Sequence, residues 1–234
     1  MIATESPLLF YGFIVLTLIT LLAAYWLIGR SRLLLVCGVV WLVLQAVLAS
    51  SGFYAEFDLL PPRLVFPVAS VFLVCSAIGF SRAGRQIRDR VSLEKLHYLH
   101  AVRILVELVF LHGLFEMGLV AKTITYQGTN FDIYAGLTGP LVGILVFRYK
   151  LLPRSVALIW NILACTVLIS VFVQATLSAP FPIQRLGFDQ STTAIFYFPF
   201  IWLPTFVAPV MILVHFISIR KIMDMPKRNS PTSL

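Results

Sequence analysis

Long apolar runs, each about the length that crosses a bilayer as a helix, follow one another along this sequence. A helix needs about 20 mainly apolar residues to span the hydrocarbon core. Runs bounded by charge, proline or polar clusters cover residues 8–28, 33–50, 64–80, 97–120, 135–149, 155–178 and 194–218. The connections between them are of loop length. The sequence therefore predicts an all-α membrane bundle of seven transmembrane helices over 1–234, with a basic cytoplasmic tail at 219–234.

The composition agrees with a membrane protein. Hydrophobic residues make up 59% of the chain and charged residues 12%, whereas charged residues are nearer a quarter of a soluble domain. The net charge of +8 does not indicate nucleic-acid binding, because the basic residues flank the apolar runs. We therefore expect membrane lipids as partners and no nucleic acid.

The positions of Lys and Arg predict the orientation of the bundle. Basic residues of short loops are retained on the cytoplasmic side. Most of the 18 Lys and Arg residues follow the first, third, fifth and seventh runs. Only Arg63, Lys122 and Arg185 lie in the other connections, and Arg103 lies within a span. We therefore expect the N-terminus outside and the C-terminus in the cytoplasm.

The fourth span carries more polar residues than a lipid-facing helix would. Its segment HYLHAVRILVELVFLHGLFEMG, residues 97–118, contains three His, one Arg and two Glu. At about 100° per residue, these residues fall on two faces: an inner-half face with His97, His100, Arg103 and Glu107, and an outer-half face with His112 and Glu116. A helix that is polar on two sides at different depths should be enclosed by its neighbours. We therefore expect the fourth helix to be central.

Arg103 and Glu107 form the first candidate site, for a ligand or a proton. Their i,i+4 spacing allows an ion pair that lowers the cost of burying charge near the membrane midplane. Ionisable residues inside a membrane usually face an interior or a cavity and tend to be functional. Asn161, in the sixth span, is expected at nearly the depth of Arg103 and would complete a polar centre. A purely structural ion pair is the alternative.

A second candidate site lies toward the outer end of the same span. His112 and Glu116 are also spaced i,i+4, and Asp132 and Asp189 lie in outer connections. Together they offer a mixed nitrogen and oxygen ligand set for a divalent ion. The sequence has no HExxH, CxxC or DxDxDG motif. We therefore predict a proton-exchanging His–Glu pair in preference to a metal site.

The remaining His residues raise the question of a cofactor. His215, near the inner end of the seventh span, could share a layer with His97 and His100, as paired haem ligands do in membrane cytochromes. A single His beside SIRK is more typical of a membrane interface, and we expect His97 and His100 near the inner interface as well. No Lys lies within the seventh span before Lys221, so retinal has no attachment point. We predict no cofactor.

Proline, glycine and the outer connections predict details of packing. Pro199, Pro204 and Pro209 should bend the outer half of the seventh helix and free backbone carbonyls, because each removes one helical hydrogen bond. The glycines of the fifth span, Gly136, Gly139 and Gly143, favour close helix packing. The outer connections mix aromatics, amides and prolines, which is typical of packed structure.

Four strings, RILVELVF, NFDIYAGLTGP, SAPFPIQRLGFDQ and YFPFIWLP, together resemble a family of uncharacterised bacterial seven-helix membrane proteins. The resemblance covers roughly the C-terminal two thirds of the chain. It implies a multi-pass protein of the bacterial inner membrane in which the fourth to seventh helices form one unit. It implies no activity.

These observations leave three classes of function. In the first, the protein binds or transports a small-molecule or lipid-like ligand in an outward-open polar cavity between helices four, six and seven. Arg103 and Glu107 would lie at the base of that cavity, and His112 and Glu116 near its mouth.

The second class is a membrane-embedded enzyme that uses Glu107 or the His112–Glu116 pair as acid and base on a lipid or isoprenoid-type substrate. The third is a receptor or an accessory subunit of a membrane complex. We favour the first class, because no nucleophile, metal or cofactor motif supports catalysis. Transport by a chain of this size would require a homodimer.

Overall fold

The computed structural model describes residues 6–28, 30–82 and 84–226, and these residues form helices and connections without a β-strand. We label seven helices in chain order: α1 Pro7–Leu27, α2 Arg32–Ser50, α3 Val65–Phe80, α4 Leu93–Glu116, α5 Asp132–Val142, α6 Arg154–Ser178 and α7 Leu203–Asp224. A π-helical segment, Gly143–Arg148, continues α5. A short helix, Arg85–Arg90, connects α3 to α4. The all-α prediction is confirmed for this part of the chain.

Five of the helices, α1, α2, α4, α6 and α7, are long and apolar enough to cross a membrane. The other two are shorter than these five, as their apolar runs 64–80 and 135–149 already are in the sequence. Helix α3 is apolar but has 16 residues, and α5 has 11 residues before a π-helical extension of 6. The described residues therefore show five candidate spans, and the count of seven stays a prediction.

The connection that precedes α5 explains why α5 is short. Helix α4 ends at Glu116, and the chain then turns back beside α4 until Asp132 begins α5 next to Arg103. Arg103 lies roughly 20 Å before the end of α4, at about 1.5 Å per residue. Connection 117–131 thus descends into the bundle, and α5 has only the remaining depth to cover.

The boundaries of two helices differ from those expected. Helix α4 begins at Leu93 instead of residue 97, because Ser92 caps it by accepting a hydrogen bond from the backbone N–H of Lys95. Helix α7 begins at Leu203 instead of 194 and continues to Asp224. Residues 219–224 of the predicted tail are therefore helical, and residues 227–234 lie outside the described residues.

Successive connections gather alternately at two ends of the bundle. At one, which we call the basic end, Lys221 of α7 donates to the backbone carbonyls of Arg88 and Val91, at 2.7 and 2.8 Å. At the other, which we call the loop end, Gln190 donates to the carbonyls of Phe115 and Val120, at 2.8 and 2.6 Å. The loop-end connections are therefore packed structure, as predicted.

Helix α7, and not α4, is the most enclosed helix. Of its most apolar 18-residue stretch, 72% is buried, compared with 44% for α4 and 17% for α2. The few polar residues in this part of α7, among them Thr205, His215 and Ser218, are fully buried. The expectation that α4 is central was wrong in this respect. Polar residues on two faces indicate that a helix is enclosed, but they do not show whether an apolar helix such as α7 is buried more completely.

Glycines bring α5 into close contact with α4, as predicted. A Cβ atom added at Gly139 would lie 2.8 Å from the Cβ of His100, and one at Gly143 would lie 2.8 Å from the Cβ of His97. At Gly136 it would lie 3.2 Å from the Cβ of Arg103. These distances are shorter than ordinary van der Waals contacts. Only glycine therefore allows α5 to approach the polar face of α4 this closely.

Candidate functional site

Three charged residues lie together inside the bundle. Arg103 of α4 is 2% exposed, Glu107 is 1% exposed, and Asp132, the first residue of α5, is 4% exposed. Arg103 Nη1 lies 3.2 Å from Asp132 Oδ1, which is an ion-pair distance, although the two atoms do not have hydrogen-bond geometry. Buried charges are tolerated where they are paired. Asp132 therefore compensates Arg103.

Glu107 is held by a different residue from the one expected. Its Oε1 accepts a hydrogen bond of 2.8 Å from the side-chain amide of Asn130, whereas the ion-pair partner of Arg103 among the described residues is Asp132. The predicted i,i+4 pair with Arg103 was therefore wrong. Glu107 lies in a π-helical segment, Val106–Leu111. A π-helical turn contains more residues than an α-helical turn, so the rotation of 100° per residue, which would place Glu107 beside Arg103, does not apply here.

Asn130 also explains the position of Asp132. Its Oδ1 accepts a hydrogen bond of 2.8 Å from the backbone N–H of Asp132, which satisfies one free donor at the start of α5. One buried amide thus begins the helix and holds Glu107. Asp132 is consequently at the level of Arg103, and not in an outer loop near His112 as the sequence suggests.

A chain of hydrogen bonds leads from Arg103 toward the basic end. Arg103 Nη2 lies 3.0 Å from His215 Nε2, and His215 Nδ1 lies 2.9 Å from Asn161 Oδ1. Asn161 Nδ2 lies 3.0 Å from His97 Nε2, and His97 Nδ1 lies 2.7 Å from the carbonyl of Leu93. Asn161 therefore belongs to the polar centre, as expected, and reaches Arg103 through His215.

Backbone carbonyls fix the direction of every bond in this chain. A carbonyl only accepts, so His97 Nδ1 carries the proton that it donates to Leu93, and its Nε2 accepts from Asn161. Asn161 Nδ2 also donates to the carbonyl of Ala157, at 2.7 Å, which leaves Oδ1 to accept from His215 Nδ1. His215 Nε2 then accepts from Arg103. Both His are neutral, and the chain orients the guanidinium.

The same chain does not conduct protons in this arrangement. An imidazole passes a proton by releasing one from one nitrogen and taking one at the other, but the Asn161 amide has no equivalent acidic proton to exchange. Asn161 is the only link between His97 and His215 in the chain described above. We therefore assign the chain a positioning role, which holds Arg103 in place.

His100 completes this layer without a hydrogen bond. Its ring stacks on that of His215, with centroids 4.4 Å apart, and lies 5.0 Å from the ring of Trp160. Neither of its ring nitrogens has a partner among the described residues. His97, His100 and His215 are all fully buried. The bundle therefore encloses all three rings, and their place near the inner membrane interface stays a prediction.

A cavity of about 60 Å³ lies beside the charged residues, between α4, α6 and α7. These are the three helices between which the sequence predicts a cavity. Its charged lining consists of Arg103, Glu107 and Asp132, and nearly all the rest is apolar. Ile124 and Ile195, from two loop-end connections, also line it. A water needs at least about 10–15 Å³, so the cavity has room for a few waters or a small polar group.

Two wide helical turns shape the cavity wall. The π-helical segments Val106–Leu111 of α4 and Leu203–Val207 of α7 both contribute lining residues. Such turns are frequent at functional sites. Pro209 supplies no N–H for the carbonyl of Thr205, which instead accepts a bond of 2.9 Å from the Trp41 indole. That freed carbonyl is therefore used in packing and is not available to a ligand.

Four polar atoms of the charged residues lack a hydrogen-bond partner in the described protein. They are Nε and Nη1 of Arg103, Oε2 of Glu107 and Oδ1 of Asp132. A buried donor or acceptor without a partner costs about 1–3 kcal/mol, and more when it is charged. The cluster therefore offers both donors and acceptors to a small polar group.

The outer pair is separate from this cavity. His112 Nδ1 lies 3.9 Å from Glu116 Oε1, and the two side chains are 32% and 62% exposed. His112 also lies 3.3 Å from the side-chain nitrogen of Gln127. Asp189 is exposed and Asp132 is paired with Arg103, so neither loop acid joins the pair. The described residues contain no group of three or more His, Cys, Asp or Glu arranged for a metal ion.

Sequence reasoning missed three contacts: Asp132 and His215 with Arg103, and Asn130 with Glu107. One local signal was available for the first. An Asn side chain readily accepts from the backbone N–H two residues later in an Asx turn, and this pattern at Asn130 would have moved the start of the fifth helix from 135 to 132. The contact of His215 depends on how α7 packs against α4, for which the sequence has no local signal.

A protein family described as a domain of unknown function (DUF8737) matches residues 61–223, which include α3 to α6 and nearly all of α7. Neither a curated protein nor a solved structure matches the chain.

Proposed function

The chain belongs to the DUF8737 family, and we propose that it is a multi-pass membrane protein that binds a lipid-like ligand with a small polar head. The head would lie in the cavity beside Arg103, Glu107 and Asp132. The observation that carries this proposal is that Arg103 Nε and Glu107 Oε2 are buried without a partner on residues that line one otherwise apolar cavity.

The surface of the bundle supports a place in the membrane. Large apolar side chains are exposed along the outward faces of α1, α2 and α3, including Leu8 at 72%, Leu33 at 72% and Leu73 at 70%. Contiguous apolar surface of this kind favours contact with lipid. With α3 and α5 as short spans completed by their connections, we propose seven crossings. The positions of Lys and Arg favour an external N-terminus, and the sequence resemblance favours a bacterial inner membrane.

A ligand accounts for the cluster better than a structural ion pair does. Arg103 and Asp132 alone would compensate each other, so a second buried carboxylate on the same cavity has no role in that pair. The hydrogen-bond chain through His215 holds the guanidinium beside the cavity. A fixed charge next to unpartnered donors and acceptors is typical of a preorganised binding site.

The ligand should be largely apolar, because the cavity wall is. Leu168, Val171 and Phe172 of α6 and Val207 and Met211 of α7 face it. Ligand sites usually combine such an apolar wall with a few polar groups that orient the ligand. A membrane lipid with a small head satisfies both parts.

Substitution of Val171 by Phe tests the proposal, since Val171 lines the cavity and carries no polar group. The matched control is Leu163→Phe on the outward face of the same helix, where Leu163 is 61% exposed. Both variants are purified in detergent, and the lipids that remain bound are extracted and identified by mass spectrometry. We expect one enriched lipid class with the wild type and with Leu163→Phe, reduced at least tenfold in Val171→Phe.

The proposal fails if the same bulk lipids are recovered in equal amounts from all three proteins. A thermal melt of each protein shows whether Val171→Phe is folded. If that variant does not fold, Ala208→Val, which adds two methyl groups to another wall of the same cavity, replaces it with the same expected loss.

A further inference from the structure

An apolar groove on the outer surface of the bundle adjoins the charged cavity. The groove has a volume of about 560 Å³ and lies between α3 and α6. Val65, Leu73 and Val173 on its rim are 42%, 70% and 52% exposed, so it opens sideways and not toward either end of the bundle. In the proposed orientation this side faces the hydrocarbon of the bilayer.

The groove and the cavity share part of their walls. Phe172, Ala175, Ile195 and Pro204 line both. Phe172 and Ala175 belong to α6, and Pro204 belongs to the π-helical segment of α7. A thin layer of these side chains therefore separates the lipid-facing groove from Arg103, Glu107 and Asp132.

The groove itself offers no polar group to a ligand. Thr176 is the polar side chain among its described lining residues, and its hydroxyl donates to the carbonyl of Phe172, at 2.9 Å. The groove thus suits a hydrocarbon chain, whereas the cavity suits a polar head.

We propose that the ligand is a long-chain lipid with an uncharged hydroxyl head, which reaches the cavity sideways from the bilayer through the groove between α3 and α6. The inference rests on the proposed function and adds to it the chemistry of the head and the route of access.

The hydrogen-bond donors and acceptors of the cavity favour a hydroxyl over an anionic or a quaternary ammonium head. Arg103 Nε and Glu107 Oε2 have neither a hydrogen bond nor an ion pair, whereas Arg103 Nη1 and Asp132 Oδ1 face each other at 3.2 Å. A hydroxyl accepts from Arg103 Nε and donates to Glu107 Oε2. An anionic head supplies only acceptors and adds a negative charge beside two carboxylates, whereas a quaternary ammonium head supplies neither donor nor acceptor.

The route through the groove also favours an uncharged hydroxyl head. A head that moves sideways from the groove never enters water, so any charge on it would have to be carried through hydrocarbon. The cost for a charged group is several kcal/mol or more, whereas a hydroxyl costs much less. Both the site and its approach therefore favour an uncharged head.

The test uses a hexadecanol that carries a photoreactive diazirine in its chain, added to phosphatidylcholine vesicles that contain the full-length protein. After illumination, labelled peptides are identified by mass spectrometry. We expect labelling of α3 between Val65 and Leu73 and of α6 between Phe172 and Leu177. Unlabelled hexadecanol should reduce it at least fivefold, and hexadecyl sulfate should not.

A pair of neighbouring substitutions in α3 provides the control. Ala69 lines the groove and Ser70 does not, and both are exposed. Ala69→Phe should lower labelling of the α6 peptide at least fivefold, whereas Ser70→Phe should leave it unchanged. If Ala69→Phe does not fold by thermal melt, Ala69→Leu is measured with the same expected direction.

The possible results separate the two proposals. If the groove is not labelled above the level of other lipid-facing helices while the lipid sensitive to Val171→Phe still co-purifies, access through the groove is wrong and the proposed function stands. If hexadecyl sulfate competes as well as hexadecanol, the hydroxyl head is wrong. If neither labelling nor a co-purified lipid is found, both proposals are wrong.

Discussion

At the residue scale, Arg103 is the residue on which the other polar contacts depend. It is paired with Asp132 and bonded to His215, and both partners come from other helices. Removing one partner of a buried ion pair is strongly destabilising, by about 3–5 kcal/mol, because it leaves the other charge uncompensated. Removing a group that is only hydrogen-bonded costs less.

Substitutions of the two buried acids should therefore differ in their effect. We expect Asp132→Asn to lower the free energy of unfolding by about 3–5 kcal/mol. Glu107→Gln should lower it by no more than about 1.5 kcal/mol, since a Gln oxygen still accepts from Asn130. Thermal melts in one detergent measure both, with Asp189→Asn at an exposed position as the control. The reverse order would mean that Glu107 is the partner of Arg103.

Asn161 is the second residue whose removal should be costly. Its amide bonds both His97 and His215, and Asn161→Leu would leave a buried acceptor and a buried donor without partners. At about 1–3 kcal/mol for each unpartnered group, we expect a loss of roughly 2–6 kcal/mol in chemical unfolding. Thr166→Val, at an exposed position of the same helix, should change stability by less than about 0.5 kcal/mol. An equal effect of the two would show that the chain of hydrogen bonds contributes little.

The sequence is sufficient to identify Arg103, Glu107 and Asn161 as members of a polar centre, because charge and amide groups inside apolar runs stand out. It is not sufficient to identify their partners. A helical wheel assumes regular α-helix, and the π-helical segment at Val106–Leu111 breaks that assumption at Glu107. The contact with His215 depends on the packing of two distant helices.

At the scale of elements, the glycine face of α5 determines where Asp132 lies. Because Gly136, Gly139 and Gly143 allow α5 to touch α4, the first residue of α5 comes within reach of Arg103. Spacing alone predicts this close packing, since small residues three and four apart share a helix face. The descent of connection 117–131 was not predictable in the same way, because its residues carry no strong local pattern.

A methyl group on this face should separate the two helices. In Gly139→Ala, the new Cβ would lie 2.8 Å from the Cβ of His100 and 3.2 Å from the carbonyl oxygen of His97, so a helix must shift. Overpacking of this kind typically costs about 1–3 kcal/mol, and the melting temperature should fall accordingly. Gly12→Ala in α1 is the matched control, because its Cβ would lie 3.4 Å from the Phe110 ring, an ordinary contact. Equal melting temperatures would show that α5 has room to move.

At the scale of the whole molecule, the connections alternate between the basic end and the loop end. Lys221 bonds to the backbone near Arg88, while Gln190 bonds to the end of α4 at the opposite side. Hydropathy and charge predict this alternation, because the basic residues cluster in every second connection between the apolar runs. They also predict that the third and fifth runs are the shorter ones, at 64–80 and 135–149, close to the observed helix Val65–Phe80 and to Asp132–Val142 with its π-helical continuation to Arg148.

The orientation is testable by labelling from one side. Single cysteines at Gln86 and Asp189, both exposed and outside the long helices, are introduced separately into a variant whose three natural cysteines are replaced by Ala. In intact bacterial cells whose outer membrane has been made permeable, a membrane-impermeant maleimide should label Asp189→Cys. It should label Gln86→Cys only after the cells are broken, because the basic residues at that end are expected in the cytoplasm. Labelling of Gln86→Cys in intact cells would reverse the topology.

An experimental density map of the protein in lipid nanodiscs tests the central claim most directly, because it shows what contacts the charged cluster. The account predicts continuous, chain-like density from the groove between α3 and α6, past Phe172 and Pro204, to within about 3 Å of Arg103 or Glu107. Density for water alone beside Arg103, with no chain between Phe172 and Pro204, would contradict it and leave the cluster as a structural feature of the bundle.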